Sequence, residues 1–170
     1  MYERVRDATD RLCRAIEILC NLILAVMTAV IAVLIISRNL VGFSFSWSEE
    51  LTRFLLVWLS MLGAAVLLGR DDHISLNLLQ DRLGPKAQLV ISFLLRLLVL
   101  AFLVILAQQS WTAALARQVT HAPALGISLF WPYLAIPVAA VLMILVTLVS
   151  LWGETLQLLG RRPLHNPGAV

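Results

Sequence analysis

Four long apolar runs decide what this chain can become: Ile18–Ile36, Leu51–Gly69, Leu89–Ala107 and Leu129–Trp152, each of 19 residues or more. A helix rising ~1.5 Å per residue needs about 20 residues to cross a hydrocarbon core roughly 30 Å thick. Lipid offers no partner for backbone N–H and C=O groups, so a run of this kind must pair them internally as a helix. Composition agrees, with 61% of the 170 residues hydrophobic and 14% charged. A soluble domain is apolar over only about half of its residues. The expected fold is an all-α membrane protein: a single four-helix membrane domain over residues 1–170, with four transmembrane helices.

The first run exceeds the core of a cleavable signal peptide, about 7–15 residues, and is expected to stay as an anchor. Ahead of it Val5, Ala8, Thr9, Leu12, Cys13 and Ile16 recur at helical spacing, with Arg and Asp opposite. That pattern predicts a short interfacial N-terminal helix, the alternative being a solvated extension of the first span. The middle loop, "RDDHISLNLLQDRLGPKA" at 70–87, predicts a short interfacial helix that ends at Gly84-Pro85. Proline is tolerated in a first helical turn, so Pro85 opens the third span and Pro132 suits the start of the fourth; Pro137 is expected to kink it.

Basic residues set the orientation. Arg4, Arg6, Arg11 and Arg14 precede the first run, Arg70, Arg82 and Lys86 lie between the second and third, and Arg161 and Arg162 follow the fourth. The two other loops hold only Arg38 and Arg117. Loops rich in Lys and Arg stay in the cytoplasm, so both termini are expected there. The same excess accounts for the formal charge of +3 without nucleic acid. Trp47, Trp111 and Trp131 then fall at outer helix ends and Trp152 at an inner one, where interfacial tryptophans belong. Trp58 is mid-span and expected to pack against a neighbouring helix.

No catalytic residue, metal or cofactor is expected. The chain has no glycine-rich phosphate loop and no cysteine pair at metal spacing. Cys13 and Cys20 are separated by ~10 Å of helical rise, too far for a disulfide. His73, His121 and His165 fall in loops or the tail, whereas haem between helices needs histidines that face one another inside them.

Polar residues at the edges of the runs are the candidates for function. In "FSWSEELTRFLLVW", residues 45–58, Ser46 and Glu49 stand at capping-box spacing. Arg53 lies four residues after Glu49 and three after Glu50, so either carboxylate could offset it. Capping and anchoring explain most of this stretch; the carboxylate left over, Glu50, is available to a partner. In the third run Arg96 lies seven positions in, ~10 Å deep. Near a helix centre an arginine costs about 2.5–3.5 kcal/mol. Gln88, Ser92 and Arg96 form one stripe, and Glu17, Asn21 and Thr28 another, so the two are expected to meet in an intramembrane polar seam. Snorkelling of Arg96 to the headgroups is the alternative. Small residues four apart, Ser60/Ala64, Ala65/Gly69 and Ala135/Ala139, allow close helix packing.

Two separated stretches resemble a known family, the DctQ-like small membrane subunit of tripartite ATP-independent periplasmic (TRAP) transporters. "WSEELTRFLLVWLSMLGAAVLL" followed by "DDHISLNLL" is similar to the family's tryptophan–acidic–acidic second helix and the loop after it. "PALGISLFWPYLAIPVAAVLM" is similar to its segment leading into a proline-containing fourth helix. Asp71-Asp72 departs from the glycine frequent there. The resemblance implies a bacterial inner-membrane scaffold subunit, surrounded by lipid and paired with a large membrane subunit. That partner would hold the solute and sodium sites, and a periplasmic solute-binding protein would deliver solutes, often organic acids. By matching position, Trp47, Glu49, Glu50 and Arg53 would belong to the outer part of the scaffold.

Other classes remain as alternatives: a small four-helix drug exporter, or a structural subunit of another membrane complex. Against the exporter, Glu17 is near the cytoplasmic edge, and the charge bias opposes the dual topology of an antiparallel dimer. The orientation is testable in a background lacking Cys13 and Cys20. Ser44→Cys should react with an impermeant maleimide added outside intact cells, and Ser75→Cys only after permeabilisation. The reverse pattern overturns the assignment.

Overall fold

Each apolar run becomes one helix, and each helix is longer than its run. The structure, a computed structural model, describes residues 2–40, 42, 45–70 and 85–158. The helices are α1 (Tyr2–Leu40), α2 (Ser46–Arg70), α3 (Pro85–Ala116) and α4 (Phe130–Leu158), and all four are long and apolar enough to cross a membrane. α3 opens on Pro85, as the sequence predicts. It passes the expected end at Ala107 because the polar stretch that follows is still helical. There Ser110 donates to the Leu106 carbonyl (2.6 Å) and Thr112 to that of Gln109 (2.8 Å), so both hydroxyls are satisfied on the helix itself. α4 continues through Pro137.

The N-terminal lead-in is not a separate helix. α1 runs unbroken for 39 residues, ~58 Å at the usual rise. No glycine or proline interrupts residues 2–40, so nothing in the chain turns the lead-in onto the membrane plane. The interfacial helix expected in the middle loop lies outside the described residues, except for its exit at Pro85.

The four helices alternate in direction and pack in the order α1, α2, α4, α3. α1 lies on α2, α2 on α4 and α4 on α3, while α1 only brushes α4. α4 is therefore the central element: 44% of its span is buried, against 6% for α1 and 11% for α3. Its side chains explain this position. Ala135, Ala139 and Ala140 are fully or almost fully buried, so neighbouring helices approach the backbone closely. Buried Thr147 donates to the carbonyl of Met143 (2.8 Å), so its hydroxyl is satisfied on the helix itself.

α2 uses its small residues on one side only. Ala65 is buried, and a methyl group at Gly69 would lie 2.9 Å from Cys13 Sγ and 3.4 Å from Val146 Cγ1. Gly69 thus marks the point where α1, α2 and α4 converge, and Cys13 serves as a packing residue. Ile16, Leu62 and Val66 form a core beside it, with Cys20, Ile23, Trp58 and Leu142 packed around; Trp58 meets its neighbours as expected. Ser60 and Ala64, by contrast, are exposed among the described residues.

Overfilling a packed junction typically costs about 1–3 kcal/mol. Gly69→Val should therefore lower the unfolding temperature of the purified chain. Gly69→Ala should also lower it, and should lose most of that effect once Cys13→Ala removes the sulfur. An equal drop in both backgrounds would show that the contact is not limiting.

Candidate functional site

Two distant stretches of the chain meet at the end of the layer that carries the α1–α2 and α3–α4 connections. One is the start of α2. The other is the α3–α4 loop, whose fold follows from its residues. Ala122 N–H donates to the Ile127 carbonyl (2.8 Å) and Leu129 N–H to that of Thr120 (2.9 Å), which folds the loop back as a narrow antiparallel pair. At its tip Gly126 N–H donates to the Ala122 carbonyl (2.8 Å), closing a single helical turn. Pro123 opens that turn, where its missing N–H costs nothing, and Gly126 ends it at φ +67°, a conformation that suits glycine.

A single turn leaves its first N–H groups without internal acceptors. Glu50 supplies one. Its Oε2 accepts from Ala124 N–H at 3.0 Å and from Leu125 N–H at 2.8 Å. Hydrogen bonds to a carboxylate are stronger than neutral ones, so this contact ties α2 to the loop 74 residues away. The loop in turn sets the start of α4: Ser128 Oγ donates to the Gln118 carbonyl (2.8 Å) and accepts from Phe130 N–H (3.2 Å). The Arg117 guanidinium lies 5.4 Å over the Tyr133 ring, a cation–π contact joining the end of α3 to the first turns of α4.

The start of α2 differs in detail from the expected capping box. Helix α2 begins at Ser46, but Ser46 and Glu49 do not bond reciprocally. The Phe45 carbonyl instead takes the Ser48 N–H (3.1 Å) and the Ser48 hydroxyl (2.6 Å), which draws Ser48 into a buried position. Glu49 and Arg53 are both exposed, and neither carboxylate pairs with Arg53 among the described residues. Glu50, read as the group left for a partner, is occupied inside the chain. Trp47 is exposed beside Phe45, ring centroids 5.9 Å apart.

The residues of the expected polar seam sit on two helices whose main packing is with others, α1 on α2 and α3 on α4. Glu17 and Asn21 belong to α1, Ser92 and Arg96 to α3, and α1 and α3 are separated by α2 and α4. Asn21 is exposed, Glu17 and Arg96 are half-buried, and the Ser92 side chain lies outside the described ones. Between α3 and α4 a shallow apolar groove of about 270 Å³ is lined by Trp111, Pro137, Val138, Val141 and Leu142. Among the described residues no group of His, Cys, Asp or Glu is placed to hold a metal.

What sequence reasoning missed is the acceptor–donor pairing of Glu50 with the Ala124 and Leu125 amides. A local signal existed: Pro-x-x-Gly marks a one-turn helix whose free N–H groups require an acceptor. Nothing local says which acceptor.

Residues 27–157, which include both halves of this contact, match the family model of the tripartite ATP-independent periplasmic transporters, DctQ component. The sialic acid TRAP transporter small permease protein SiaQ of Vibrio cholerae is 30% identical over 148 residues, covering 85% of this chain and 83% of the relative. A provisionally named TRAP transporter small permease protein of Haemophilus influenzae is 29% identical over 136 residues, covering 79% and 84%. The isethionate TRAP transporter permease protein DctMQ of Oleidesulfovibrio alaskensis is 31% identical over 113 residues, which are 64% of this chain and 17% of that protein.

Removing the acceptor leaves the part-buried Leu125 amide without its partner, whereas the exposed Ala124 amide can turn to solvent, so the loss should be about 1 kcal/mol. Glu50→Ala is expected to lower the unfolding temperature and speed hydrogen exchange at Ala124 and Leu125, with Glu50→Gln, which keeps a carbonyl oxygen, intermediate. Unchanged exchange at these amides would show that the loop holds itself.

Proposed function

The chain belongs to the DctQ family, the small-permease component of TRAP transporters, and from that premise we propose that it is the fixed scaffold of a sodium-coupled importer of an organic acid. It is a transporter component and not an enzyme, and a multi-pass inner-membrane protein. In this reading a large membrane subunit carries the solute and the ions, a periplasmic solute-binding protein delivers the solute, and both termini lie in the cytoplasm.

One observation carries the scaffold role: four hydroxyls within the spans are spent on carbonyls of their own helices. Thr28 donates to the Leu24 carbonyl, Thr52 to Ser48, Ser60 to Val57 and Thr147 to Met143. A solute site in a membrane needs polar groups aimed at a cavity, often at a broken helix. The open order α1–α2–α4–α3 leaves two edge helices bare and encloses no polar chamber among the described residues. A larger membrane partner is supported by the Oleidesulfovibrio relative, in which the matched stretch is a small part of one long permease chain. An organic-acid solute is supported by the names of two relatives, sialic acid and isethionate, both anionic.

In vesicles with an imposed sodium gradient the purified chain should show only background uptake. Uptake should require the large subunit and a loaded binding protein together. Gradient-driven uptake by the chain alone would refute the scaffold reading.

A further inference from the structure

The groove between α3 and α4 has a direction, and a charge at one end. Pro137 and Val141 are one turn apart on α4, as are Val138 and Leu142, and Trp111 lines it from α3, so the groove runs along the helices. Trp111 stands five residues before the end of α3 and Pro137 seven after the start of α4, roughly 8–10 Å from the helix ends on the loop side. One turn nearer that end on the same line of α4 is Tyr133, whose ring carries the Arg117 guanidinium at 5.4 Å. We propose that the groove seats one acyl chain of an anionic glycerophospholipid whose phosphate is held by Arg117. Nothing in this site depends on the scaffold role.

Shape selects a hydrocarbon chain over a helix. The groove holds about 270 Å³ between two helices already packed together. A helix ~10 Å across fills roughly 420 Å³ in a single turn, so no helix of a neighbouring protein can enter. A flexible acyl chain can, because it lies along the spans in the same direction as the groove. The walls suit it: all five lining residues are apolar, and Val138 and Val141 are exposed at the mouth. Pro137 brings no N–H that hydrocarbon would leave unpaired.

Charge selects the headgroup. Arg117 is exposed and has no ion pair among the described residues. A guanidinium held over an aromatic ring keeps its fork of N–H donors, and that fork matches a phosphate in a bidentate pair. The bilayer around four spanning helices brings phosphates to the level of the helix ends. The Trp111 indole N–H also meets no acceptor among the described residues, and the ester oxygens of a phospholipid, just below its phosphate, supply one. In a zwitterionic lipid the ammonium group of the headgroup competes for its own phosphate. A net negative lipid has no such competitor, so a single arginine favours it.

The test uses the full chain, stripped of lipid in mild detergent and titrated with lipid under native mass spectrometry. Phosphatidylglycerol should be retained in preference to phosphatidylcholine with the same acyl chains. Arg117→Gln should weaken phosphatidylglycerol about fivefold, the effect of ~1 kcal/mol for one basic residue at a membrane surface, and should abolish the preference. Arg117→Lys, which keeps the charge, should retain part of it. Val141→Trp, at an exposed position, should fill the groove and weaken both lipids alike, without lowering the unfolding temperature measured in the absence of lipid. Equal retention of the two headgroups by the wild-type chain, or retention indifferent to Arg117→Gln and Val141→Trp, would overturn the site. So would displacement of the lipid when the large membrane subunit joins the chain, which would assign the groove to protein.

Discussion

In a bilayer, an apolar side chain gains nothing by leaving lipid for another apolar side chain, so these helices are held together by closeness. The structure depends on that constraint. α4 occupies the centre because its inward positions are alanines that let α2 and α3 approach its backbone, and α2 meets α1 and α4 at a glycine where no methyl group would fit unaided. The bulky residues point outward, the reverse of a soluble protein, and their exposure in the isolated chain reflects a lipid-facing surface.

Close packing alone does not fix how the helix ends stand to one another. That task falls to polar contacts where the chain leaves the hydrocarbon. Glu50 is the principal one: a single carboxylate oxygen satisfies two amides at the tip of the α3–α4 loop and ties α2 to both following helices. The loop is built to present those amides. Proline removes the first N–H, glycine permits the return, and Ser128 converts the end of the loop into the cap of α4. The two stretches that carry the family resemblance are thus the two sides of one contact.

An open row of helices also has a functional sense. In the proposed scaffold role, a row of helices with hydroxyls bonded to their own carbonyls suits the part of a transporter that stays still. Its surfaces are not equivalent: the exposed side of α3 is built of bulky residues, while that of α2 carries Arg53 and then Ser60 and Ala64.

The sequence alone determined the number of spans, the all-helical class, the proline start of α3, the cysteine without a disulfide and the family, because each depends on a run length, a local residue type or a motif in order. It also determined which small residues could pack, but not which did. Ala65/Gly69 and Ala135/Ala139 face neighbours, whereas Ser60/Ala64, with the same spacing, are exposed among the described residues. The tertiary structure decided that, by setting α4 beside α2 and leaving α1 and α3 apart. It likewise set Glu17 on α1 and Arg96 on α3, helices whose main packing is with α2 and α4. Burial and charge are properties of a residue and can be read along a chain; partnership is a property of two, and Glu50 meets Leu125 only because α2 and α3, which separate them in the chain, have already been placed.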